Sequence, residues 1–383
     1  MTAPRRAADP RAIRYDLVLL GTALTLTAFG VVMVYSASGV YAAAKLGSSS
    51  YFLKRQALSA VVGVGALAAM LKLGYRRLEV LAVPLLGLAL LSLVLIFVPG
   101  LGHAAGGSKR WLVLGPLTFQ PAELAKLALV LFLARSLAKK GDAVKDWRVG
   151  FVPHAVVAGM LVLLLMGQPD FGTSVACVLI TGALLFVAGV RVGYLFAALV
   201  VALPGAVFLV THSAYRMRRI LAFLDPWDDP NGVGYQVREA LLSVGSGGPF
   251  GLGLGESRQK LFYLPAAHTD FILPIIGEEL GLVGIAAVVA LFALLAWRGL
   301  KAAYAAPDAF GAFLAIGLTS LLCFESLVNA GMAMGMLPTK GLALPFLSYG
   351  GTSLVATMMA VGILLSISGG PGGYLRAALG ARP

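Results

Sequence analysis

RQKLFYLPAAHTDFILPIIGEELG, from Arg258 to Gly281, carries the chain out of its one long polar segment into hydrophobic sequence of lipid-spanning length. Asp270 stands at that junction, with His268 two residues before it and Glu278 and Glu279 two turns after. A carboxylate at the mouth of a hydrophobic span is expensive to place, so the rest of the chain has to account for it.

The surroundings are those of a membrane protein. Of 383 residues, 59% are hydrophobic and 12% charged, about half the charged share of an average soluble domain; the mean hydropathy is +0.89. Apolar runs of about 17–25 residues mark spanning helices. Ten are read, at 15–36, 53–71, 79–99, 120–138, 150–168, 172–189, 192–211, 271–297, 309–335 and 346–368. The expectation is an all-α polytopic membrane protein with ten transmembrane helices. One membrane domain covers 15–368, flanked by a basic tail at 1–14 and a second tail at 369–383. Cys177 and Cys323 both lie inside apolar runs and read as small packing residues, so no disulfide framework follows. The four histidines are too scattered for a dedicated metal cluster.

Basic residues orient the spans. With the N-terminus cytoplasmic, seventeen Lys and Arg fall on inside segments, whereas the short outside loops hold Lys45, Lys54, Arg55, Lys109, Arg110 and Lys340. Both termini are therefore expected in the cytoplasm. The net charge of +13 is largely this topological signal, and a nucleic-acid partner is not read from it. The first apolar run is about twice the length of a signal-peptide core and is read as retained, although Ser36-Ala37-Ser38 weakly resembles a cleavage site. Segment 212–270, between spans seven and eight, becomes one large extracytoplasmic loop. Loops of this length are usually functional or disordered, and YRMRRILAFLDPW and KLFYLP are too aromatic and aliphatic for disorder. Short amphipathic helices against the membrane surface are expected there.

Charges inside or beside the spans are the candidates for chemistry. Glu123 and Lys126, three apart in QPAELAK, share a helical face. They fit either a structural ion pair or a cavity-facing lysine that binds an anionic group and is oriented by the glutamate. Asp170, in QPDFG, fits a helix cap or a site residue. Arg55 and Lys54 head span two on the same side and could equally snorkel. Arg216, Arg218 and Arg219 open the large loop; their forks suit phosphate oxygens, and a solvated face is the alternative. LPTKGLALPFLSYGGTS, Leu337 to Ser353, breaks the helix between spans nine and ten. Its freed backbone groups need partners from protein or a wet cavity. Lys340 adds an outer cation, and Ser348 and Tyr349 serve either a pathway or packing. Asp270 fits a cap of span eight or a general base whose pKa burial would raise and nearby cations lower. His268 and Thr269 supply hydrogen-bonding groups beside it. Glu278 and Glu279 fit helix locking better than chemistry.

QPAELAK, QPDFGTS, YRMRRILAFLDPWDDPNGVGYQ, GSGGPFGLGLGESRQKLFYLPAAHTDFI and LPTKGLALPFLSYGGTS, in this order and spacing, resemble the SEDS proteins FtsW, RodA and SpoVE. The resemblance runs from about Tyr15 to Ser368, and the TKG after Pro338 is closer to the FtsW and SpoVE branch. It implies a bacterial, multi-pass protein of the cytoplasmic membrane. The implied activity is peptidoglycan glycosyl transfer on lipid II, for cell division or cell shape, beside a class B penicillin-binding protein acting as transpeptidase. The family's essential aspartate falls on Asp270, its span-four carboxylate and lysine on Glu123 and Lys126, its span-two arginine on Arg55, and its QPD aspartate on Asp170. Ala266 and Ala122 replace the usual acidic residue and serine, and Pro274 could kink span eight.

The implied reaction moves a glycan from an undecaprenyl-pyrophosphate donor to the 4-hydroxyl of a second lipid II. An α-linked donor and a β-1,4 product imply one inverting, in-line displacement. Asp270 is expected as base, with Arg55, Lys126 and Arg216 or Arg218 holding pyrophosphate. No enzyme nucleophile is required, and a divalent cation, Mg or Mn, could share the task of holding pyrophosphate. Membrane lipids would bind grooves between helices. Two rivals remain: a lipid II flippase, which would need charged sites reachable from both faces, and a non-catalytic scaffold, which has no need of Asp270.

Overall fold

The computed structural model describes residues 15–369 apart from 106–107, 115–116, 228–231, 233 and 340. The expected tail at 1–14, nearly all of that at 369–383, and Lys340 lie outside the described residues.

Helices form where the apolar runs are and stop at recognisable signals. α1 (Leu17–Leu46) starts at Asp16, whose carboxylate accepts from Leu19 N at 3.0 Å, and ends on Gly47 at φ 73°. α2 (Tyr51–Leu73), α3 (Tyr75–Leu95), α4 (Pro121–Lys140), α5 (Val152–Gly167), α6 (Phe171–Val187) and α7 (Val192–Thr211) follow. α4 opens on a proline, which lacks the amide that would go unpaired there. Segment 212–270 contains α8 (Ala214–Leu224) and α9 (Gly234–Gly247); α10 (Ile272–Tyr304), α11 (Ala309–Ala333) and α12 (Gly351–Ser368) complete the chain. Seven helices among the described residues are long and apolar enough to cross a membrane: α1, α2, α3, α5 with its preceding turn, α10, α11 and α12. The chain is a multi-pass membrane protein. α6 is apolar but shorter, and α4 carries Glu123, Lys126, Arg135, Lys139 and Lys140.

α4, α11 and α12 form the buried centre. α2 lies along α12, α3 along α4, α10 along α11 and α9, and α1 against α2 and α10. Val61, Leu163 and Val201 are more than 70% exposed, an outer surface suited to lipid tails rather than water. One end of the bundle is tied by Asp16, which pairs with Arg298 and whose amide donates to Ser368 Oγ at 3.2 Å, and by Tyr75, whose hydroxyl donates to Asp308 at 2.7 Å.

One feature departs from the expected all-α fold, and a second moves the break expected in span eight. Between α3 and α4 lies an antiparallel sheet, β1 (Gly102–Ala105), β2 (Ser108–Leu114) and β3 (Leu117–Phe119), with Trp111 opposite His103 and Leu112 opposite Phe119. Ser108–Leu114, set between Gly107 and Gly115 in the sequence, holds an apolar run, Trp111–Leu114, too short to fill helical turns, and it pairs as strand. The second is a break in α10 at Gly281 (φ 67°, ψ −163°), a full two turns beyond Pro274. Pro274 sits in the first turn, where its missing amide costs no helical bond, so the kink expected from it does not occur there. At Gly281 the freed backbone groups pair with 248–253: Leu282 N donates to Gly248 O (2.9 Å), and Leu252 N donates to Glu278 O (2.9 Å). The segment Ile272–Glu279 is thus a short, buried half-helix.

Candidate functional site

Four irregular segments meet at the end of this half-helix: β2, the turn before α6, residues 263–271 and residues 337–350. Arg110, on β2, donates to Pro169 O and holds Nη1 3.7 Å from Asp170 Oδ1. Asp170 also caps α6, accepting from Thr173 Oγ1 at 2.9 Å and Thr173 N at 3.4 Å. Arg219, on α8, donates to Thr339 O at 2.7 Å. A Cβ added at Gly341 would lie 3.3 Å from Asp270 Oδ2 and 3.8 Å from Arg110 Nη1, so these two side chains converge on one bare stretch of backbone. Burial pushes the Asp270 carboxyl up to about 6, against the opposing pull of Arg219 and Arg110. Arg110 Nε, Asn329 Oδ1 and Thr339 Oγ1 are buried without a hydrogen-bond partner among the described residues. Polar groups of this kind are uncommon in a settled interior.

The backbone around Asp270 is held from several sides. Asn329 on α11 donates to Asp270 O (3.0 Å) and Leu342 O (2.7 Å). Ser348 Oγ donates to Thr269 O at 2.5 Å and accepts from Leu344 N at 2.8 Å, while Tyr349 N donates to His268 O at 2.9 Å. Gln56, buried on α2, donates to Ser348 O at 3.2 Å and accepts from Gly350 N at 3.4 Å. These backbone groups of the break between α11 and α12 are therefore satisfied by protein, as backbone at membrane depth must be. Glu278 accepts from Ser257 Oγ (2.5 Å), Arg258 N (2.9 Å) and Ser243 Oγ (3.1 Å), and Glu279 pairs with Lys260 at 2.8 Å and accepts from Ser36 at 2.7 Å. These two carboxylates pin the large loop to α10.

Deeper in the bundle Lys126 Nζ donates to Glu123 at 2.9 Å and also to Glu325 on α11. The lysine is 2% exposed and both carboxylates are under 10%. Glu325, in the apolar run LLCFESL, is the third member that sequence spacing alone could not supply, since it arrives from another helix. The triad joins α4 to α11, and in this geometry the lysine is spent on two carboxylates.

The other expected site residues are distributed as follows. Asp270 does not cap α10: the cap position is Phe271, without a side-chain bond, so that alternative is corrected. Ser348 is buried and committed to backbone, which makes it a brace for Asp270 rather than a ligand group. Arg55 is exposed and stacks over Tyr51 at 4.7 Å. His268 packs among Tyr41, Phe52 and Tyr349, and burial pushes its imidazole down to about 4. Arg218 bonds its own helix at Ala214 O (3.4 Å), and the Arg216 amide takes the Ser213 cap (3.4 Å). Arg219, not these two, is the member of the cluster whose charge acts on Asp270, and Arg110 is the second cation that the sequence reading did not single out. Among the described residues no three His, Cys, Asp or Glu side chains converge to hold a metal. The acidic groups here face guanidinium ions, so the donor set does not fit a divalent cation and no step is routed through one.

The chain can be set beside known proteins. The family model FTSW_RODA_SPOVE, described as cell cycle protein, matches residues 16–370. The chain is 50% identical over 355 residues to the "Probable peptidoglycan glycosyltransferase FtsW" of Geobacter sulfurreducens (strain DL-1 / KN400), covering 93% of this chain and 95% of the relative. It is 42% identical over 353 residues to stage V sporulation protein E of Bacillus subtilis (strain 168), covering 92% and 96%. A solved chain of a peptidoglycan synthase complex that coordinates polymerization and crosslinking superposes with a TM-score of 0.77 at 33% identity, over 93% of this chain and 98% of that one. By sequence and by shape, the chain belongs to the FtsW/RodA/SpoVE family.

Proposed function

We propose that this protein is a peptidoglycan glycosyltransferase that polymerises lipid II into β-1,4 glycan at the outer face of the bacterial cytoplasmic membrane. The observation that carries the proposal is the Asp270 carboxylate, partly exposed and raised to about 6, with Arg110 and Arg219 beside it and buried polar atoms around it that have no partner among the described residues. In this reading α1–α7 and α10–α12 cross the membrane ten times and both termini are cytoplasmic. Residues 15–368 form one domain, and the segment carrying α8 and α9 lies outside.

The chemistry follows from the charges. The acceptor 4-hydroxyl attacks the anomeric carbon of the donor, and Asp270 takes its proton. The bond from that carbon to the pyrophosphate oxygen breaks on the opposite side, inverting the centre. A base with pKa near the working pH is well matched to this step and contributes about 10²–10⁴-fold. Arg110 and Arg219 take up the charge that develops on the leaving pyrophosphate, each such contact being worth on the order of 10²-fold. Arg55, exposed at the rim, extends the cationic surface to the phosphates. Lys126 acts indirectly in this scheme, since Glu123 and Glu325 neutralise it. A class B penicillin-binding protein is the proposed transpeptidase partner, in line with the similarity to a chain of a peptidoglycan synthase complex. A flippase would carry its charges along a path through the membrane; here the charges deep in the bundle are mutually paired, which favours the polymerase.

The test is a gel assay of glycan product from purified protein, its cognate transpeptidase and lipid II. Wild type should make polymer, whereas Asp270→Asn should make none while still binding the partner. Polymer from the Asp270→Asn protein would overturn the assignment of the base.

A further inference from the structure

Next to Asp270, five rings from four segments pack into one continuous patch. Tyr41 on α1 lies 6.0 Å from Phe262, 6.3 Å from Phe52 and 5.9 Å from His268 between ring centroids. Phe52 on α2 is 4.5 Å from His268 and 4.9 Å from Tyr349. The patch is open on one side: Tyr41 is 39% and Phe262 51% exposed. Its attachment to the Asp270 segment is direct, since Tyr349 N donates to His268 O and Ser348 Oγ to Thr269 O. His268 lies two residues before Asp270, which limits their Cα separation to about 7 Å. Arg55 borders the patch through Tyr51, over which it stacks at 4.7 Å and whose ring lies 5.2 Å from Phe52.

Phe262 is the telling member. Its φ is 70°, the left-handed region that a bulky side chain enters only under constraint and that glycine adopts freely. Strained backbone of this kind concentrates at functional sites. A ring that merely anchored the loop in lipid would need no such conformation. Interfacial aromatic residues also ring a protein's perimeter at headgroup level, whereas these five touch one another and close on one side of Asp270. A pyranose has one face of C–H bonds and a rim of hydroxyls. Such a face packs on aromatic rings.

We propose that Tyr41, Phe52, Phe262, His268 and Tyr349 form a stacking platform for a hexopyranose ring of the acceptor glycan, holding its hydroxyl toward Asp270. The proposal rests on the glycosyltransferase reading for the word acceptor, but not for the binding of sugar.

The experiment compares two probes on the full chain in lipid nanodiscs: a short-chain prenyl pyrophosphate bearing the disaccharide, and the same prenyl pyrophosphate without sugar. Phe262→Gly removes the ring and suits the backbone, so its thermal midpoint should equal or exceed that of wild type. Its affinity for the disaccharide probe should fall about three- to tenfold, while affinity for the sugar-free probe stays the same. Tyr41→Phe, which keeps a ring, should bind nearly as wild type, and Tyr41→Ala should weaken the disaccharide probe alone. Equal losses on both probes, or no loss on either, would overturn the platform and leave a lipid anchor or a packing cluster. Lipid II turnover by wild type reads the enzyme assignment separately: a protein without turnover that retains the two-probe difference keeps the platform and loses the polymerase.

Discussion

Replacing Asp270 with asparagine keeps the side chain's shape and removes one charge that the fold disfavours. The carboxyl sits at about 6 against an ordinary 3.8, with burial as the dominant cause. Near 1.4 kcal/mol per unit, the ionised form costs the folded state about 3 kcal/mol at neutral pH. The direction follows from linkage. Below about pH 3.8 the group is protonated whether folded or unfolded, and nothing is lost. Between 3.8 and 6 the unfolded chain releases the proton more readily, so the wild type loses stability as pH rises, and above 6 the loss is complete. Asp270→Asn should therefore melt several degrees above wild type at pH 7.5 and together with it near pH 4, measured by thermal unfolding in one detergent. Polymerisation should vanish in the variant, and the wild-type rate should climb through about pH 6 and then level. A variant less stable than wild type at pH 7.5, or a wild-type rate flat between pH 5 and 7, would refute the reasoning, because each requires Asp270 to be an ordinary, solvated carboxylate.

Other perturbations test the supporting structure. Lys126→Met strands Glu123 and Glu325 in the bundle and should cost about 3–5 kcal/mol, read as lost monodisperse protein on gel filtration; adding Glu123→Gln and Glu325→Gln should restore it. Gly281→Ala drives a Cβ into the backbone of Gly251 and Phe250 at a φ of 67° and should lower the melting temperature more than an alanine at the open Gly65, where nothing lies within 4 Å. Arg110→Lys keeps the charge but cannot reach Pro169 O and Asp170 with one planar fork. Its turnover should fall by about 10²-fold with expression and melting nearly unchanged, and normal turnover would remove Arg110 from the site.

Membrane residence and helix positions are legible in this chain because lipid imposes a local rule: about twenty apolar residues must run together to cross it. That rule acts on consecutive residues and can be read without a structure. Asp270 stood out for the same reason, as a charge in a place where lipid penalises it. The small sheet at 102–119 escaped because a four-residue apolar run suits strand and helix alike. The break in α10 was sought at Pro274, the residue with a known local effect, yet it occurs at Gly281, where the docking of 248–253 supplies partners for the freed amides.

The sequence by itself determined the solvent, the order of the helices and the identity of one costly carboxylate. Only the tertiary structure decided which cations face it. Arg110 and Arg219 are 109 residues apart in the chain, and neither is distinguished locally from Arg55, Arg216 or Arg218. Electrostatic pairing falls off over a few ångströms of space, and separation along the chain does not report it. The same holds for Glu325, which completes the Lys126 triad from a helix that sequence spacing cannot bring to it.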